Sequence, residues 1–134
     1  MREILYRAKS KATNEWVYGY FVKQYDVAQI YTDGGGECVY EDTLGQYTGL
    51  TDKNGVKIFE GDIVKGDDDY ETFGKMAGEI REVWFKDGGF RLKPKYTSVI
   101  ARGDKGYWME DGADFEVIGN VFDNPELLGG DGNE

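Results

Sequence analysis

The stretch GQYTGLTDKNGVKIFEGDIV, residues 45–64, contains the densest set of turn signals in the chain. Asp52 suits the first position of a type I turn, and Gly55 suits the left-handed residue that follows it. We therefore expect a tight hairpin at this point. The other glycines of the stretch are also predicted to be turn residues; they are Gly45, Gly49 and Gly61. The stretch is predicted to be a scaffold element of a β fold.

Two ligand-binding patterns, the EF-hand loop and the phosphate-binding loop, match this stretch only in part. An EF-hand loop with Gly55 at its sixth position needs acids at its first and twelfth positions, which here are Leu50 and Gly61. A phosphate-binding loop needs two glycines separated by four residues and then a lysine. Gly45 and Gly49 are separated by only three residues, and Leu50 follows them. Neither calcium nor phosphate binding is predicted.

The composition favours one mainly β domain. The chain has 134 residues, 20 glycines, only 2 prolines and 15% aromatic residues, which is typical of short strands joined by turns. We predict short antiparallel strands and hairpins, including a partly open SH3-like barrel, with a short C-terminal helical turn. Asn124 is its expected cap, and Pro125 fits its first position. The domain is predicted over residues 1–128 and a flexible tail over 129–134.

Alternating apolar residues predict the strands. The segments are Glu3–Arg7, Glu15–Lys23, Val27–Tyr31, Glu37–Tyr40, Val56–Phe59, Gly61–Gly66, Ala77–Phe85, Phe90–Tyr96 and Asp114–Phe122, with one short strand within residues 97–113. In the second segment Trp16, Tyr18 and Tyr20 alternate with the apolar Val17 and Phe21. Because both faces are apolar, this strand is expected to be central or covered on both sides.

The absence of histidine restricts the chemistry. The chain contains no histidine, which excludes Ser-His-Asp and Cys-His catalysis and His-ligated zinc. Glu60 and Asp62 flank Gly61 and would point to the same side of an extended chain, where they could form a divalent-ion or acid–base pair. The structural interpretation, in which these acids accept backbone hydrogen bonds in turns, is preferred. We predict no enzyme activity, no cofactor and no metal.

Charge and cysteine content indicate the setting. The net charge of −10 argues against a protein that coats DNA or RNA. A small basic island in the first eleven residues, with Arg2, Arg7, Lys9 and Lys11 against Glu3, is expected to be a solvated strand face, and a nucleic-acid role is the less favoured alternative. The single cysteine, Cys38, is expected to be a small apolar strand residue, and one thiol favours the cytosol over secretion. No apolar run approaches the length of a membrane span, so a cytoplasmic protein is predicted.

Two surfaces are candidate sites. Gln46, Tyr47 and Thr48 lie in a predicted loop between glycines, where Tyr47 could present its ring to a partner. In the strand that follows the Asp87-Gly88-Gly89 turn, a basic and aromatic face is a candidate nucleic-acid surface; its residues are Arg91, Lys93, Lys95 and Tyr96. Pro94 makes this an edge strand or the end of a strand, because proline cannot donate to a ladder.

The sequence resembles the YopX family of small phage and prophage proteins over Met1–Leu128. The segments that carry the resemblance are MREILYRAK, EWVYGYFV, GQYTGLTDKNGVKIFEGDIVK, GEIREVWF with GGFRL, and FEVIGNVFDNPELL. The resemblance implies a mainly β fold with a partly open SH3-like barrel and a setting in bacteriophages and prophages. It supplies no catalytic residues.

Two functions remain open from the sequence. The first is a non-catalytic binding or adaptor module that acts on an unidentified host or phage protein, with a homo-oligomer as an option and no membrane partner. The alternative is a nucleic-acid-associated module that uses an SH3-like barrel and the basic strand face. The missing histidine, the acidic surface and the many tyrosines place the first function ahead of the second.

Overall fold

The computed structural model describes residues 5–66, 79–93, 107–108 and 115–128, with only the backbone at 107–108. It confirms a mainly β fold of antiparallel strands. The strands are β1 (Tyr6–Ser10), β2 (Trp16–Gln24), β3 (Val27–Thr32), β4 (Gly35–Thr51), β5 (Lys57–Phe59), β6 (Asp62–Gly66), β7 (Ile80–Lys86), β8 (Gly89–Leu92), β9 (Tyr107–Trp108) and β10 (Phe115–Asn120). A short 3₁₀ helix follows over Pro125–Leu128.

The chain divides into two compact units, Met1–Gly49 and Leu50–Glu134. A single domain over residues 1–128 stays a prediction, and the predicted tail at 129–134 lies outside the described residues. The sequence also predicts an exposed acidic loop over residues 67–74, which lies outside the described residues. In the described part of the chain, no helix is both long and apolar enough to cross a membrane.

The first unit is a sheet that partly closes on itself. Strand β1 pairs with β2 on one side and with β4 on the other, and β3 lies between β2 and β4. Side chains from the inner face form the core, which consists of Ala8, Ala28, Ile30 and Val39, with Tyr6, Val17, Phe21 and Leu44 packed against it. The likeness to an SH3 barrel stays a prediction.

Glycine allows two strands to approach closely at Gly19. A Cβ atom at this position would lie 2.1 Å from the backbone carbonyl oxygen of Tyr31. At Gly36 the neighbour is a side chain, because a Cβ there would lie 2.7 Å from the Tyr31 ring. The Tyr31 ring therefore occupies the space that a side chain at position 36 would need.

Strand β4 corrects the predicted loop at residues 45–51. It is continuous from Gly35 to Thr51, so Gly45 lies in a strand and pairs with Arg7. Gly49 has a φ of 90°, a backbone angle that favours glycine, yet the chain continues as a strand there. The glycines at 45 and 49 are therefore not chain-reversal residues. The last two residues of β4, Leu50 and Thr51, belong to the second unit. Strand β5 follows β4 in the strand order of this sheet.

The second unit is an antiparallel sheet in the order β10-β6-β7-β8-β9. Its core consists of Ile58, Val64, Val83 and Leu92, with Leu50, Phe115 and Val117 packed against it. The predicted turn at Asp87-Gly88 is confirmed, with φ values of 51° and 84° that suit a two-residue hairpin turn. Strand β8 ends at Leu92, two residues before Pro94 in the sequence. It is not an edge strand, because β9 pairs with it on the side away from β7. Of the two predicted alternatives, the end of a strand is therefore the correct one.

The C-terminal helical turn is confirmed, with a different use of its cap residue. The Asn124 side chain does not cap the 3₁₀ helix; its Oδ1 atom accepts a hydrogen bond from the Asn120 backbone N–H at 3.3 Å. The Asn124 carbonyl accepts from the Leu127 N–H at 3.0 Å. Asn124 therefore fixes the end of β10 against the turn that follows it.

Candidate functional site

Asp52 is the central acid of the turn that the sequence predicts. Its backbone carbonyl accepts from the Gly55 N–H at 3.0 Å, and Gly55 has a φ of 83°, as expected. Its Oδ1 atom accepts from the N–H groups of Asn54 (2.8 Å) and Val56 (2.9 Å). Its Oδ2 atom accepts from the Val117 N–H of β10 at 2.9 Å. A single carboxylate therefore holds the turn and joins it to a strand 65 residues away.

These hydrogen bonds determine the charge of the Asp52 carboxyl, which is only 4% exposed. Burial alone would raise its pKa, because a buried carboxylate loses hydration. The N–H donors of Val117, Val56 and Asn54, helped by the charge of Lys53, outweigh burial and hold the pKa below its usual value. Asp52 therefore stays ionised and serves the fold rather than proton transfer.

The Glu60 and Asp62 pair is not an extended ion-binding arrangement. Glu60 and Gly61 form a turn, and Gly61 has a φ of 92°, so the chain is not extended through this pair. Asp62 is 2% exposed, and its Oδ2 atom accepts from the Phe59 N–H at 2.7 Å. Among the described residues, no three His, Cys, Asp or Glu side chains cluster as metal ligands would.

The candidate partner surface at Gln46, Tyr47 and Thr48 lies in strand β4. The predicted loop is therefore wrong at these positions, because the Tyr47 backbone N–H donates to the Leu5 carbonyl at 2.8 Å. Tyr47 and Thr48 are only 6% and 4% exposed, so Gln46 is the one member of the three that solvent reaches. Partner binding at these residues stays a prediction.

The candidate nucleic-acid face is described only in part. Lys95 and Tyr96 lie outside the described residues. Arg91 is half-buried, and its Nε donates to the Lys86 carbonyl at 3.2 Å. Lys93 forms an ion pair with Glu82 at 3.5 Å, and its Nζ lies 5.1 Å from the centre of the Trp84 ring. Arg91 and Lys93 thus already have partners within the second unit, and nucleic-acid binding there stays a prediction.

Three exposed tyrosines lie on β2 and β3, on the face opposite the core of the first unit. Tyr18, Tyr20 and Tyr31 are 46%, 67% and 41% exposed. The prediction that β2 is covered on both sides is wrong, although β2 is central, between β1 and β3. We call this surface the outer aromatic face and define it by Trp16, Tyr18, Tyr20, Tyr31 and Tyr40.

The register of the paired strands places these rings on one face of the sheet. Tyr20 lies directly opposite Tyr31, and Trp16 lies opposite Lys9. Lys9 in turn lies opposite Tyr40 on the other side of β1. The five rings therefore lie on one side of the sheet, on strands β2, β3 and β4. The sequence shows the alternation along β2, but only the pairing of distant strands reveals that the other rings join it.

Basic side chains lie on the same face. The Arg7 guanidinium is 4.5 Å from the centre of the Trp16 ring, and the Lys9 ammonium is 5.4 Å from it. The Lys11 ammonium lies 5.8 Å from the centre of the Tyr40 ring. Such distances are typical of cation–π contacts. The prediction of a solvated basic face is wrong for Arg7, which is only 6% exposed. Lys9 is half-buried on β1, and Lys11 is exposed in the turn that follows β1. Arg2 lies outside the described residues.

Hydrogen bonds between β1 and β4 and within β4 hold the backbone near Lys9 and Tyr40 in place. The Lys9 backbone N–H donates to Thr43 Oγ1 at 2.9 Å, and the Thr43 hydroxyl donates to the Tyr40 carbonyl at 2.6 Å. The Ser10 hydroxyl donates to Glu37 of β4. Strand β1 is therefore fixed to β4 where the pairing of these strands shifts register. Cys38 lies on β4 as predicted, but it is exposed.

Comparison with known proteins identifies the family. The crystal structure of protein EF1440 from Enterococcus faecalis matches with a TM-score of 0.53 and 23% identity, over 96% of this chain and 100% of that chain. At that identity the match supports the fold alone. A search of curated proteins gives no significant match. The model of the YopX protein family matches residues 5–129, which is most of the chain. The chain therefore belongs to the YopX family.

Proposed function

We propose that this chain is a non-catalytic binding module whose contact surface is the outer aromatic face. The observation that carries the proposal is the exposure of Tyr18, Tyr20, Tyr31 and Tyr40, between 41% and 67%, on one side of the sheet. Tyrosine offers a large contact area at a low cost in conformational entropy. Contiguous exposed aromatic patches mark interaction sites more often than inert surface.

The setting of this module is part of the proposal. We place it in a bacteriophage or prophage, acting in the cytoplasm of the bacterial host. The sequence ranks a host or phage protein first as the partner, with self-association as an option. One observation favours nucleic acid instead, namely that Lys9 and Lys11 lie beside the rings of Trp16 and Tyr40.

Affinity capture from host lysate tests this proposal. The tagged chain and a Y18A/Y20A variant are compared at low and high salt, and bound proteins and nucleic acids are both identified. Species that bind the wild-type chain and are lost from the variant support the proposal. Equal recovery by both proteins would show that the contact surface lies elsewhere. Phe85, which is 45% exposed on the second unit, supplies a matched control as Phe85→Ala.

A further inference from the structure

We propose that the outer aromatic face binds a single-stranded polynucleotide. This inference rests on the proposed function and names the chemistry of its partner. Bases stack on the rings of β2 and β3, and phosphates contact Lys9 and Lys11. The surface differs from the candidate face at Arg91 and Lys93, which belongs to the second unit.

The spacing of the rings suits stacked bases. Trp16, Tyr18 and Tyr20 occupy alternate positions of β2, so successive rings stand about 6.6–6.8 Å apart along the strand. Tyr31 extends the row sideways, because it lies directly opposite Tyr20. Every base has a π-face, so such a row accepts single strands with little sequence preference. Bases of a duplex are already stacked on one another and cannot use it.

The charges of the face suit phosphate. The Lys9 ammonium lies 5.4 Å from the centre of the Trp16 ring, and the Lys11 ammonium lies 5.8 Å from the centre of the Tyr40 ring. On the outward positions of β1, β2 and β3, and of β4 as far as Tyr40, the described residues include no Asp or Glu. This distribution is selective in a chain whose net charge is −10. Repulsion from acids elsewhere is screened beyond about 8–10 Å at physiological salt.

Arg7 has a supporting part in this arrangement. It is buried, with its guanidinium 4.5 Å from the centre of the Trp16 ring, so it positions the ring and does not itself reach the phosphates. The electrostatic contribution to binding therefore comes from the two lysines. Each lysine–phosphate contact with a single strand contributes about −0.7 to the slope of log affinity against log salt concentration. Two such contacts should therefore give a slope of about −1.4.

Fluorescence anisotropy of the purified full chain tests the inference. The probes are fluorescein-labelled oligo(dT) and oligo(U) of about 12 nucleotides and a duplex of the same length. Stacking and phosphate contact do not read the sugar, so both single strands are expected to bind and the duplex to bind more weakly. Tyr20→Ala should weaken single-strand binding by roughly 5- to 150-fold. Tyr20→Phe keeps the ring and should preserve binding.

The salt slope tests the lysines separately. A K9Q/K11Q variant should bring the slope from about −1.4 to near zero between about 50 and 200 mM salt. Lys57→Gln, which removes an exposed lysine of β5, is the matched control and should leave the slope unchanged. Circular dichroism melting curves of the variants confirm that each is folded.

Three results would overturn the inference: no single-strand binding by the wild-type chain, equal binding of the duplex, or binding that Tyr20→Ala leaves intact. The proposed function can survive this failure. If lysate capture yields a protein that the Y18A/Y20A variant loses, while neither oligonucleotide binds, the face is a binding surface for protein. If nothing depends on the face in either experiment, both proposals fail.

Discussion

The two units of the chain use the same residue types in opposite ways. In the second unit, Lys93 is paired with Glu82 beside Trp84, and the acids of its turns are buried against backbone N–H groups. In the first unit, Tyr18 and Tyr20 stand exposed, and the outward positions of β1, β2 and β3, and of β4 as far as Tyr40, carry no Asp or Glu. The difference shows that composition alone does not locate a surface for partners. Pairing within each unit decides which aromatic and basic groups remain accessible.

The largest expected effect lies in the second unit, at Asp52. Asp52→Ala removes the acceptor of three backbone N–H groups, from Asn54, Val56 and Val117. Each buried donor left unsatisfied costs about 1–3 kcal/mol, so we expect the free energy of unfolding to fall by roughly 3–5 kcal/mol. Urea denaturation measures it. Asp42→Ala, at an exposed acid of the first unit, should change stability by less than about 0.5 kcal/mol. Similar losses for both would refute the role given to Asp52.

A smaller loss is expected in the first unit at Gly19. Gly19→Ala forces a Cβ atom onto the Tyr31 carbonyl oxygen, so β2 and β3 must separate, at a cost of about 1–3 kcal/mol. Thermal unfolding measures the loss. Gly34→Ala is the control, because its Cβ would lie 3.7 Å from Thr32 Oγ1, an ordinary contact. If both variants melt together with the wild type, the close approach at Gly19 does not exist in solution.

The acid dependence of stability should also belong to the second unit. The pKa of Asp52 is lower in the folded chain than in the unfolded chain. Its contribution to stability is therefore complete above the unfolded pKa of about 3.9 and is lost as pH falls through the lower folded pKa. Asp52→Asn removes this titration, so its stability should fall less steeply than that of the wild type below about pH 4. Urea denaturation at several pH values makes the comparison, and parallel curves would contradict it.

The smallest effect on stability is expected on the outer aromatic face. Tyr20 is 67% exposed, so Tyr20→Ala should change the free energy of unfolding by no more than about 0.5–1 kcal/mol. Val83→Ala, in the core of the second unit, should cost more, because its side chain is fully buried. Parallel urea denaturation of the two variants measures this difference. A larger loss for Tyr20→Ala would mean that this ring supports the fold rather than a partner.

Local chemistry explains what the sequence predicted well. Asp52 with Gly55, and Asp87 with Gly88, determine their turns through neighbouring atoms, so these turns were predictable. The prediction of turns at Gly45 and Gly49 was wrong, because both residues lie within β4. Glycine permits unusual backbone angles but does not by itself reverse the chain. The extended resemblance of the sequence predicted the family correctly.

Non-local register explains what the sequence could not predict. Alternation along β2 separates Tyr18 and Tyr20 from Val17 and Phe21, but both sets are apolar enough to be core. Which set is buried depends on the closure of the sheet through the pairing of β1 with β4. The same pairing places Lys9 between Trp16 and Tyr40. The candidate site is thus a product of tertiary structure.

Hydroxyl-radical footprinting with and without oligo(dT) measures the solvent access of each ring and so shows whether the outer aromatic face holds the single strand. We expect the oligonucleotide to protect Tyr18, Tyr20 and Tyr31, while Phe85 of the second unit keeps its reactivity. Unchanged reactivity of the three tyrosines at a saturating oligonucleotide concentration would contradict this expectation, as would equal protection of Phe85.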